Sequence, residues 1–180
     1  MPPEALFDVS TVDDGRVLYG IEKIREVNPQ RFEMEQITAI VHIDVEQKLI
    51  VGYKDVTENE FWVRGHMPEY PLMPGVIMCE AGAQLGGFFS KMYVVPVGSF
   101  IVFGGMEEVR FRGQVKPGDR FWLVSKTVKV NRRQVVNQIQ GFVQGKMVFE
   151  GTLIGMPFTP PGAESEKGNS AGNSMGDGAT

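Results

Sequence analysis

Apolar and polar positions alternate along much of this chain, and the one long stretch where they do not is the most informative. Residues 37–45 (ITAIVHIDV) and 48–56 (KLIVGYKDV) are β-branched and alternating, the pattern of strands with two distinct faces. A short Glu46–Gln47 step separates them, so they read as a hairpin. Four further strands are expected at 99–112 (SFIVFGGMEEVRFR), 120–130 (RFWLVSKTVKV), 134–144 (QVVNQIQGFVQ) and 147–155 (MVFEGTLIG). Turns at Lys116–Asp119 (KPGD) and Gly145–Lys146 punctuate them. Ile21, Ile24 and Val27 make a short amphipathic helix stopped near Pro29. The exception is 75–93, GVIMCEAGAQLGGFFSKMY, which is apolar on almost every face and is opened by Pro74 and Gly75. It predicts one long helix buried all round. Gly82, Gly86 and Gly87 each cost about 1 kcal/mol relative to alanine inside a helix, a cost that suits close approach of another backbone. Strands around a single helix give an α+β fold with an antiparallel sheet. A helix without a polar face needs cover from that sheet and from something else, for which a second subunit is a candidate.

The ends read differently. Residues 1–17 show no clear periodicity and are expected to be flexible, and 159–180 (TPPGAESEKGNSAGNSMGDGAT) have the composition of a disordered tail. One domain over 18–158 remains, within the usual range of domain lengths. The single cysteine, Cys79, excludes an internal disulfide framework and a multi-cysteine zinc site. No secretory signal is visible, and Glu80, Gln84, Lys91 and Pro96 interrupt the only apolar run long enough to suggest a membrane span. A cytoplasmic protein, bound to neither membrane nor nucleic acid, is the expectation. The net charge of −4 conceals an asymmetry: residues 1–60 are acidic, while eight bases lie between Arg110 and Arg133 against one acid, Asp119. Such a segment can dock an acidic partner, although solvated strand faces are the favoured account from charge alone.

The chemistry concentrates in RGHMPEYPLMPGVIMCEAGAQ. His66 is one of two histidines in the chain, and Pro68, Pro71 and Pro74 stiffen the segment between it and the helix. Histidine is the commonest general base near neutrality. Glu80, set in an apolar helix, is expected to hold its proton through desolvation and to act as an acid. The backbone N–H at Gly75, at the helix N-terminus, can stabilise developing negative charge on a carbonyl oxygen. A base beside a proton donor suits elimination or hydration. Gln84 lies one turn beyond Glu80 on the same face and can hydrogen-bond it. His42, among apolar strand residues, reads as structural, and Cys79 as a packing residue.

GHMPEYPLMPGVIMCEAGAQ resembles the signature of β-hydroxyacyl-[acyl carrier protein] dehydratases, the FabZ-like family of the hotdog fold. Gly65, His66, Pro68, Pro71, Met73, Pro74, Gly75, Val76, Glu80, Ala81 and Gln84 occupy the signature positions. IEKIREVNPQRF resembles the family's opening helix, KDVTENEFWVRGH the strand feeding the histidine, and VRFRGQVKPGD the stretch after the helix, all in one register over about residues 20–157. The resemblance implies a central helix wrapped by a curved antiparallel sheet. It implies that His66 takes the α-proton of a 3-hydroxyacyl thioester, that Glu80 serves the departing hydroxyl, and that Gly75 N–H holds the thioester carbonyl. It also implies a substrate carried on the phosphopantetheine arm of acyl carrier protein, no metal or redox cofactor, and a role in fatty acid biosynthesis. Assembly would be a homodimer with shared active sites, with a trimer of dimers as a further level. Related enzymes that also isomerise the double bond carry aspartate at the position of Glu80.

Several positions depart from that pattern. Met67, Glu69 and Tyr70 follow the histidine, and Asn28 and Gln30 replace a leucine and a histidine of the opening motif. These changes bear on the substrate channel and are expected to leave His66, Glu80 and Gly75 untouched. A hotdog thioesterase, cleaving the same kind of thioester with a carboxylate and water, is one competing reading. A non-catalytic acyl-binding subunit is the other.

Overall fold

The computed structural model describes residues 3–13, 15–96 and 99–158. Helix α1 (Ile21–Val27) precedes a hairpin of β1 (Ala39–Asp44) and β2 (Leu49–Asp55); α2 (Gly75–Tyr93) follows, and then β3 (Phe100–Phe111), β4 (Arg120–Val130), β5 (Val135–Val143) and β6 (Lys146–Phe158). All six strands form one antiparallel sheet in the order β1-β2-β4-β5-β6-β3. The expected helix has the bounds read from its apolar run. The last turn differs slightly: Gln144 and Gly145, rather than Gly145 and Lys146, take the positive φ angles that a two-residue hairpin requires. Strand β6 consequently starts at Lys146, and it runs three residues beyond the expected end.

The alternation in β2 explains how the sheet is covered. Ile50 points into the main core with Leu85, Phe88, Phe121 and Leu123, where α2 lies across β2 to β6. Leu49, Val51 and Tyr53 point to the other face and form a second cluster with Ala39, Val41 and Val124. The N-terminal residues lie over that second cluster. Leu6, Phe7, Val9 and Val12 pack on it, Gln140 accepts from Leu6 N–H at 2.7 Å and donates to the Glu4 carbonyl at 2.9 Å, and Phe7 stacks on His42 at 4.9 Å. The expectation of a flexible 1–17 segment therefore needs correction for residues 3–13: four apolar side chains spaced too irregularly to show a period still have an apolar sheet face to cover. His42 has the structural role expected of it. The tail assigned to 159–180 lies outside the described residues.

Helix α2 is not buried all round within one chain. Met78, Cys79, Ala81, Leu85, Phe88 and Phe89 are buried, but Val76 is 67% exposed, and Glu80, Ala83, Gly87 and Lys91 on the same side are only partly covered. Nor does another backbone explain the glycines. A Cβ at Gly82 would stand 2.7 Å from the Ile139 side chain, and one at Gly86 would stand 3.0 Å from Ser125 Oγ, whereas Gly87 faces open space. Strand β3, at the sheet edge, is also open: Phe100, Val102, Phe103, Met106 and Phe111 are all between 42% and 50% exposed. An apolar edge strand of this length is a surface that soluble proteins ordinarily cover.

Candidate active site

His66 sits at the end of a turn that starts at buried Trp62, whose carbonyl accepts from His66 N–H at 2.8 Å. The proline-rich chain then folds back, and Leu72 N–H donates to the His66 carbonyl at 2.9 Å. The same Leu72 supplies the ring's partner: its carbonyl lies 2.9 Å from His66 Nδ1. A carbonyl can only accept, so Nδ1 carries the proton and Nε2 of the neutral ring presents a lone pair. The ring itself is exposed. Glu69 forms no ion pair with it.

Met73, anchored through its N–H to the Val115 carbonyl at 2.8 Å, delivers the chain to Pro74 and the start of α2. Ile77 and Met78 N–H return to the Pro74 carbonyl, while Gly75 and Val76 N–H have no acceptor among the described residues. The need for glycine at 75 has a specific cause. A Cβ there would meet the Phe111 ring at 2.6–2.8 Å, so the space beside this Cα belongs to Phe111 rather than to an approaching substrate.

Glu80 has amide partners that its apolar neighbours in sequence do not announce. Its Oε1 accepts from Gln84 Nε2 at 2.8 Å and from Gln30 Nε2 at 3.2 Å. Gln84 is 3% exposed and uses its whole amide: Nε2 also donates to the Met34 carbonyl at 2.6 Å, and Oε1 accepts from Gln36 N–H at 2.9 Å. Buried Asn28 donates to the Gln84 main-chain carbonyl at 3.0 Å. Arg31 braces this loop through the carbonyls of Arg25, Asn28 and Gln30. The departure at Gln30 thus reaches the carboxylate that it was expected to leave alone, and the departure at Asn28 reaches the main chain of Gln84. The sequence signal was available, since two amides and an arginine fall together in NPQR between α1 and β1, but only the fold brings that segment onto α2.

A cavity of about 120 Å³ opens beside Glu80, between the exposed side of α2, the first residues of β3, and β6. Asn137 and Lys91 lie along it. Burial pulls the Lys91 ammonium below its usual pKa, and it rests against the Val27 carbonyl and the Phe100 ring. His66 does not line this cavity, and no hydrogen bond or ion pair joins it to Glu80. Within one chain the structure therefore brings Glu80 and Gln84 together, with Gln30 added, and leaves His66 apart. Burial raises the Cys79 thiol pKa, which agrees with a packing role. Two bases of the 110–133 segment are neutralised within the chain, Arg112 by Glu150 and Arg120 by Asp55. Among the described residues there is no cluster of groups suited to a metal, and no helix is long and apolar enough to cross a membrane.

The comparisons with known proteins bear on this geometry directly. A family model described as a FabA-like domain matches residues 28–152, which include His66, Gly75, Glu80 and Gln84. The chain belongs to the FabA-like family. A 3-hydroxyacyl-[acyl-carrier-protein] dehydratase FabZ of Streptococcus mutans is 36% identical over 136 residues, spanning 76% of this chain and 96% of that protein. A FabZ dehydratase of Clostridium botulinum is 37% identical over 135 residues, spanning 74% and 95%. Among solved structures, the dehydratase heterocomplex ApeI:P from Xenorhabdus doucetiae superposes with a TM-score of 0.58 at 13% identity, covering 78% of this chain and 93% of that one. At that identity the likeness speaks for the fold alone, which is the hotdog fold.

Proposed function

We propose that this FabA-like protein dehydrates 3-hydroxyacyl thioesters carried on acyl carrier protein to trans-2-enoyl thioesters, in fatty acid biosynthesis. His66 Nε2 removes the C2 proton, and the electron pair of that C–H bond becomes the C2=C3 double bond. The C3–O bond breaks, Glu80 gives its proton to the departing oxygen, and water leaves. The Gly75 N–H at the start of α2 steadies charge on the thioester carbonyl during the transfer. Two protons move and no electrons are exchanged with the protein, so the reaction calls for neither a metal nor a redox cofactor. Gln84 supports Glu80 from the helix.

The observation that carries this reading is the commitment of His66 Nδ1–H to the Leu72 carbonyl, which leaves Nε2 as the one nitrogen able to take a proton. The separation of His66 from Glu80 within the chain supports a homodimer, in which His66 of one protomer meets Glu80 of the other. The exposed apolar edge of β3 and the open side of α2 give that dimer a surface to bury. The test follows enoyl-thioester absorbance with crotonyl-CoA and with a longer enoyl acyl-carrier-protein substrate, hydration being the same equilibrium run backwards. Wild type is expected to turn over, with His66→Ala and Glu80→Gln folded but slower by at least 100-fold, the order of a lost acid or base. Free thiol in place of hydration would make the protein a thioesterase. Acyl binding without turnover would make it a non-catalytic subunit.

A further inference from the structure

Glu80 makes both of its hydrogen bonds through one oxygen. Gln84 and Gln30 both donate to Oε1, and Oε2 has no hydrogen-bond partner among the described residues. The two amides differ in what they do with their own oxygens. Gln84 Oε1 is satisfied by Gln36 N–H, whereas Gln30 Oε1 is shut off from solvent and accepts from nothing. A buried acceptor without a donor is a net cost to folding, and it calls for an explanation. Turning the Gln30 amide over would not relieve it, because its oxygen would then face Glu80 Oε1, itself an acceptor that already holds the Gln84 N–H. The orientation is therefore imposed by Glu80. The loop is also anchored to keep it: Arg31 donates to the Gln30 carbonyl at 2.6 Å and to the Asn28 carbonyl at 2.7 Å.

We infer that Gln30 is a positioning residue for Glu80. Together with Gln84 it pins Oε1, so that Oε2 becomes the oxygen that gives its proton to the departing hydroxyl and takes one back afterwards. This rests on the reading of Glu80 as the acid. A protein that leaves Gln30 Oε1 orphaned to hold one N–H on a carboxylate trades stability for geometry, and that trade separates a positioning role from a structural one. Loss of a merely structural hydrogen bond destabilises the fold. Loss of this one should not.

The experiment compares Gln30→Met, which keeps the length of the side chain and loses both polar atoms, with Gln30→His, which keeps an N–H donor without the orphaned amide oxygen. Gln30→Met is expected to melt at or above the wild-type temperature while kcat falls by about tenfold, the scale of a hydrogen bond to a charged group. Gln30→His is expected to recover most of that loss. In a Glu80→Asp background, where the shorter carboxylate is no longer held at the same place, Gln30→Met is expected to cost less than about twofold, because groups acting through one another are not additive. A lower melting temperature in Gln30→Met, or a tenfold loss that persists in full beside Glu80→Asp, would overturn the inference while leaving Glu80 as the acid. Wild-type turnover in Glu80→Gln would instead remove the acid itself, and this inference with it.

Discussion

Replacing Gln84 with leucine tests how much of the site rests on one buried amide. Leucine has nearly the same volume, so packing is largely conserved and the loss is polar. Three side-chain hydrogen bonds disappear: to Glu80 Oε1, to the Met34 carbonyl and from Gln36 N–H. They are not equivalent. Met34 is 44% exposed, so water can take over its carbonyl, and Glu80 Oε1 retains Gln30. Gln36 is fully buried, and its N–H is left with no acceptor. One orphaned buried donor costs about 1–3 kcal/mol. For a domain of this size that corresponds to a melting temperature lower by roughly 3–12 °C, measurable by calorimetry or circular dichroism at neutral pH. Turnover should fall as well, since the 2.8 Å donor to Glu80 is gone. Melting at the wild-type temperature would refute the reasoning, because it would mean that the amide network contributes nothing net to folding. The contrast with Gln30→Met is the sharper point: two glutamines donate to the same carboxylate oxygen, and only one of them should be needed for stability.

Other consequences follow from the same geometry. Gly75→Ala forces the Phe111 ring away and is expected to cost about 1–3 kcal/mol by overpacking; chemical denaturation should show the loss, and Phe111→Leu in the same chain should recover most of it. Met106→Lys, in the middle of the exposed β3 edge, should keep the proposed dimer from forming in analytical ultracentrifugation and abolish turnover; a variant that still dimerises would place the interface elsewhere. Arg25 grips Glu35 through both carboxylate oxygens, at 2.7 and 2.8 Å, and that hydrogen bonding holds the Glu35 carboxyl below its ordinary 4.5. A depressed pKa gives stability that is present above pH 4.5 and lost as pH falls through the lower, folded-state value. Glu35→Gln should therefore be less stable than wild type at pH 7 by less than about 1 kcal/mol, the arginine side of the pair being half exposed. In acid titrations of stability the two proteins should converge.

How much could be read beforehand depended on the range of the forces involved. The α2 boundaries were legible because Pro74 and Gly75 punctuate the start of an unbroken apolar run. The strands were legible because burial imposes a period of two. The N-terminal segment was not, since Leu6, Phe7, Val9 and Val12 follow the contour of a sheet face built from residues 39–142 rather than a local repeat. At the site, the contact between Glu80 and Gln84 follows from helical spacing alone. The contact with Gln30 joins residues 50 apart in sequence and exists only because α1 packs on α2, so no local rule could show it. The apolar neighbours of Glu80 in sequence also misled, because consecutive helix residues face different directions and the side that carries Glu80 is the open one.

The most direct measurement mixes two inactive variants. His66→Ala and Glu80→Gln are purified separately, then unfolded and refolded together in equal amounts, and crotonyl-CoA hydration is followed. If each site takes His66 from one protomer and Glu80 from the other, half the dimers formed are mixed and each mixed dimer has one intact site, so activity should return to about a quarter of wild type. Activity no greater than the mean of the two variants alone would contradict a site shared across the dimer.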